Sequence, residues 1–76
     1  MIYKIKVNTG KDNKINYYNL EFNSILQALE VCKNWFWRKD DKTSVIISST
    51  GSSTAIIYPD GNTYIREESE GKTVNV

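Results

Sequence analysis

The sequence predicts an α+β fold: a small antiparallel sheet of four to five strands with one helix packed on one face, in the order β-β-α-β-β with a possible further strand. Three observations carry this prediction. Short runs of alternating or β-branched residues recur between turn-forming residues. One segment near the middle has helical period and a helix-start signal. The chain has 76 residues, enough for one domain spanning 1–76 and a single core layer between a helix and a sheet.

Residues 2–8 set Tyr3, Ile5 and Val7 against Lys4 and Lys6, the alternation of a half-buried strand. Residues 15–22 set Tyr18, Leu20 and Phe22 against Tyr17, Asn19 and Glu21. Between them TGKDNK, residues 9–14, reads as a hairpin loop of about six residues. Asn23 or Ser24 is a good N-cap, and Gln27 follows Ser24 at capping-box spacing. A helix is expected from Ile25 to about Arg38, with Ile25, Leu29, Cys32 and Phe36 in its core stripe and Ala28 and Trp35 flanking them. Gln27, Asn34 and Arg38 fall opposite. Arg38 and Lys39 suit the negative end of the helix dipole.

Three more strands are expected over 43–49, 53–58 and 62–67, separated by Thr50–Gly51–Ser52 and Pro59–Asp60–Gly61. The second turn has proline where φ is pre-set and glycine where a positive φ is expected. The tail, 69–76, is expected to fray or to add a short edge strand. One helix covers one sheet face only, so the other meets water or a partner.

Composition narrows the function classes. Net charge is +1, without the Lys/Arg excess usual in a basic nucleic-acid binder. A single cysteine, Cys32, leaves no intrachain disulfide, and no run approaches the ~20 apolar residues of a membrane span. A cytoplasmic protein with no membrane contact is the expectation. Histidine is absent, which removes the commonest general base and metal ligand together. Cys32 falls on the core stripe with no base to activate it. Asp40–Asp41 and Glu67–Glu68–Ser69–Glu70 read as solvated charge, since neighbours in extended chain point to opposite faces. The hydroxyl-rich stretch Ser48–Ser53 lacks the lysine and helix of a phosphate-binding loop and reads as a hairpin turn. The expectation is therefore no catalytic residue, no cofactor, no metal site and no enzymatic activity.

Binding surfaces remain. Trp35–Phe36–Trp37 sets three rings in a row, and a helix cannot turn all three toward one sheet. Trp37, beside Leu26, Glu30 and Lys33 on the wheel, either folds over the sheet edge or the 39–42 turn, or anchors a partner. Lys4, Lys6, Tyr17, Asn19 and Glu21 share the open sheet face, joined by Ile46 and by either Tyr64 or Ile65. Such a face is ordinary cross-strand packing or an interface.

The resulting expectation is a non-catalytic protein-interaction module with an unidentified protein partner. Residue usage rich in Lys, Asn, Ile, Ser and Thr and poor in Ala points to an AT-rich genome, and a phage or mobile-element accessory protein that modulates a host protein fits it. The alternative is a small nucleic-acid binder using Lys4, Lys6 and Tyr17, although the aromatic signature of the RNA-recognition module is absent. An uncovered sheet edge adds the expectation of a homodimer. None of these readings rests on a family motif.

Overall fold

The strand-forming runs build one five-stranded antiparallel sheet in the computed structural model, which describes residues 1–49 and 53–66. The elements are β1 (Ile2–Thr9), β2 (Lys14–Glu21), α1 (Ile25–Trp35), β3 (Thr43–Ser49), β4 (Thr54–Ile57) and β5 (Thr63–Arg66). Spatial order is β2-β1-β3-β4-β5. The helix thus carries the chain from one edge strand, over β1, to the far side of β1. The expected tail strand and the turn at 50–52 lie outside the described residues.

Period-two alternation places Tyr3, Ile5 and Val7, then Val45 and Ile47, then Ala55 and Ile57 on the helix side, and all seven are buried. From α1 the buried residues are Ile25, Ala28 and Cys32. Leu20, Phe22, Leu29, Phe36 and Trp37 pack around this core, each partly buried.

Local chemistry accounts for the punctuation. Ser24 is the N-cap, its hydroxyl accepting from the Gln27 N–H at 3.1 Å, while Gln27 Oε1 accepts from the Asn23 N–H at 2.7 Å. The β1–β2 loop is shorter than expected, with only residues 10–13 between the strands. Asn13 takes a φ of 58°, a left-handed conformation that asparagine tolerates. Gly10 is needed for a different reason: a Cβ there would come within 2.8 Å of the Lys42 carbonyl oxygen. In the β4–β5 turn the Gly61 N–H donates to the Tyr58 carbonyl at 2.9 Å and Gly61 has a φ of +94°, the expected proline–glycine turn.

The helix departs from expectation at its end. It stops at Trp35, not near Arg38, and the Phe36 and Trp37 N–H groups both donate to the Cys32 carbonyl. Three consecutive rings cannot share one helix face. Leaving the helix lets Phe36 stack on Tyr18, centroids 4.8 Å apart, while Trp37 turns onto the β4–β5 turn. Trp35, expected to flank the core, is 66% exposed. Its wheel angle is close to that of buried Ala28, but it lies seven residues and about 10 Å further along the axis. Position along the helix sets its exposure.

Candidate functional site

The face opposite the helix has no covering element among the described residues. Its residues follow from register. One row crosses all five strands as Tyr17–Lys6–Ile46–Ile56–Tyr64, and the next runs Asn19–Lys4–Ser48–Thr54–Arg66. Ile2 and Glu21 pair at one end of the β1–β2 hairpin; Asn8 and Ile15 pair toward the other.

The structure therefore brings Lys4, Lys6, Tyr17 and Asn19 together, as one contiguous block on adjacent strands. Ile46 joins them, and the register selects Tyr64, not Ile65, for this face. The pattern of β1 and β2 made the first four legible. Ser48, Thr54, Ile56 and Arg66 were missed, because their place depends on how β3, β4 and β5 align with one another.

The centre of the main row is aliphatic, Ile46 and Ile56, with a tyrosine at each end: Tyr17 is 65% exposed and Tyr64 48%. Lys4, Lys6 and Arg66 bring positive charge. The single carboxylate among the described strand residues of this face is Glu21, which pairs with the N-terminal ammonium at 3.7 Å. A hollow of about 470 Å³, open to solvent, lies between Ile2, Lys4, Asn19, Ser48 and Ser49. It combines one cation, an amide and hydroxyls with an aliphatic wall. On the same face Asn8 Oδ1 is buried and accepts no hydrogen bond.

Trp37 lies elsewhere. It is half-buried, its Nε1–H donates to the Tyr58 carbonyl at 3.0 Å, and a Cβ added at Gly61 would meet its ring edge at 3.5 Å. Lys33 Nζ sits 6.0 Å from its ring centroid, at the limit of a cation–π contact. These contacts match the expectation of a ring folded over the sheet, although it covers the β4–β5 turn and not residues 39–42.

Cys32 is fully buried, and burial pushes its thiol up from 9.0 to about 11. Among the described residues no three His, Cys, Asp or Glu side chains group closely enough to hold a metal ion. No described helix is long and apolar enough to cross a membrane. No family model, characterised protein or solved structure matches the chain.

Proposed function

We propose that the protein is a non-catalytic interaction module that binds another protein through its open sheet face, and that the partner surface is acidic. The observation that carries this is the composition of the face: an aliphatic centre at Ile46 and Ile56, tyrosines at both ends, and Lys4 and Lys6 beside Glu21, the one carboxylate among the described strand residues of the face, which is already paired. An apolar centre with aromatic anchors and a polar, charged rim is the anatomy of a protein interface. Rim cations steer an acidic partner more than they hold it. Absence of histidine and a buried, protonated Cys32 support the non-catalytic reading. An accessory protein of a phage or mobile element that modulates a host protein suits a module this small.

The test is affinity capture from host lysate with wild type, Lys4→Glu/Lys6→Glu and Ile46→Asp. A stoichiometric partner held by wild type and lost with both variants is expected. Capture that survives both substitutions in folded protein overturns the reading.

Exposed tyrosines beside lysines favour one second reading, single-stranded nucleic acid. Tyr17 and Tyr64 stand four strand intervals apart, about 19 Å at ~4.8 Å per interval, with isoleucines between. That is too wide for stacking consecutive bases. Binding of a short oligonucleotide with a log–log salt slope of about −0.7 per phosphate would establish it, and no binding at low salt removes it.

A further inference from the structure

Among the described residues β2 is the longer of the two edge strands, eight residues against four in β5. Its hydrogen-bond phase follows from its end. The Met1 and Phe22 backbones exchange bonds, the Phe22 N–H to the Met1 carbonyl at 3.0 Å and the Met1 ammonium to the Phe22 carbonyl at 3.2 Å. Bonded pairs alternate along an antiparallel ladder. Leu20, Tyr18 and Asn16 therefore turn their backbone groups to β1. Glu21, Asn19, Tyr17 and Ile15 turn theirs outward.

This edge lacks the usual safeguards. It contains no proline, its register with β1 runs without a bulge, and its charges stand only at the ends, Lys14 and Glu21. Ile15, Tyr17 and Tyr18 are all exposed on it. The helix packs over β3 and β4, and on its helix side β2 is covered only at Tyr18, by Phe36, and at the partly buried Leu20.

We propose that β2 pairs antiparallel with β2 of a second copy, about a twofold axis at Tyr18, joining two five-stranded sheets into one continuous sheet. Backbone bonds form only between outward-facing residues, so the possible centres near mid-strand are Tyr17, Tyr18 and Asn19. Only the Tyr18 centre uses all four outward residues, pairing Ile15 with Glu21 and Tyr17 with Asn19 of the other copy. It opposes no like charges, and on the helix side it pairs Tyr18 with itself and Asn16 with Leu20. The surface is complementary to itself, as a twofold interface requires. The inference stands whatever the open face binds. Pairing would extend that face across both copies.

Sedimentation equilibrium of the full chain tests it, with the mass expected to rise from 8.8 kDa toward twice that value over micromolar concentrations. A mass of 8.8 kDa alone at high micromolar concentration overturns the proposal. Two variants read the register. Ile15 is 48% exposed, so both should fold, as circular dichroism would verify. Ile15→Lys sets an ammonium opposite Glu21 of the other copy and should preserve or tighten association. Ile15→Asp sets two carboxylates face to face and should weaken it at least tenfold. Equal association by the two variants overturns the pairing. Hydrogen exchange gives an independent reading. Raising the concentration should slow the amides of Ile15, Tyr17, Asn19 and Glu21, and slowing confined to β5 would place the contact on the wrong edge.

Discussion

Cys32 illustrates how burial governs a single residue. Its thiol is held neutral because an anion there would lack solvation. The folded value, about 11, lies above the ordinary 9.0, so the folded state keeps its proton after the unfolded chain has lost it. The stabilising contribution is therefore complete below about pH 9 and is lost as pH rises toward 11, by roughly 2–3 kcal/mol. Urea melts from pH 7.5 to 10.5 should show this fall in wild type, with a shallower slope in Cys32→Ala. Identical slopes would mean the thiol is more hydrated than its burial implies. Asn8 makes the opposite case. Its buried, unbonded Oδ1 is a cost in the isolated protein, so Asn8→Val, β-branched in a strand, should raise stability by about 1 kcal/mol. A loss of stability would mean that water satisfies the oxygen.

Elements depend on their ends. Ser24→Ala removes the hydroxyl that accepts from the Gln27 N–H and should cost about 1 kcal/mol in urea melts. At the other end of the helix, Phe36 and Trp37 share the work of closing the core. Trp37→Phe keeps most of the ring and loses the bond to the Tyr58 carbonyl, so a cost of about 1 kcal/mol is expected. Trp37→Ala also uncovers the β4–β5 turn and should cost about 3 kcal/mol, comparable with Phe36→Ala. A loss below 1 kcal/mol for Trp37→Ala would show that its ring lies largely in solvent. Gly61→Ala meets Trp37 only at ordinary contact distance, 3.5 Å, but forces a Cβ onto a φ of +94°. It should cost about 1–3 kcal/mol through backbone strain alone.

For the whole molecule, the helix is off-centre. It packs over β3 and β4, leaving β2 held by β1 and by rim contacts such as Tyr18 with Phe36 and Tyr3 with Phe22. Stability should follow that asymmetry. In dilute solution, amides that bond within the β1–β3–β4 centre should exchange near the global rate. The β1-facing amides of Asn16 and Tyr18 should exchange by local opening of the β2 edge, at least tenfold faster. Uniform protection across the sheet would show that β2 opens only with the whole fold. The charge distribution is also uneven. A chain of net charge +1 still sets Lys4 and Lys6 on the open face, where the one carboxylate among the described strand residues, Glu21, is paired with the N-terminal ammonium.

The sequence by itself determined the element order, most boundaries to within a few residues, the Ser24 cap, the Pro59–Asp60–Gly61 turn and the common face of Lys4, Lys6, Tyr17 and Asn19. Each depends on period, capping or turn chemistry, which act over a few residues. The tertiary structure decided the rest. Ser48, Thr54, Ile56 and Arg66 join that face only through β3–β4–β5 register. Tyr64 was separated from Ile65 because a strand shifted by one residue swaps its faces, and only pairing fixes the shift. Trp35 was turned to solvent, and Trp37 was set on the β4–β5 turn and not on residues 39–42, because the helix ends where packing against Tyr18 and Gly61 outweighs continued backbone bonding. That balance involves residues 18 and 24 positions away in the chain, beyond the reach of any local pattern.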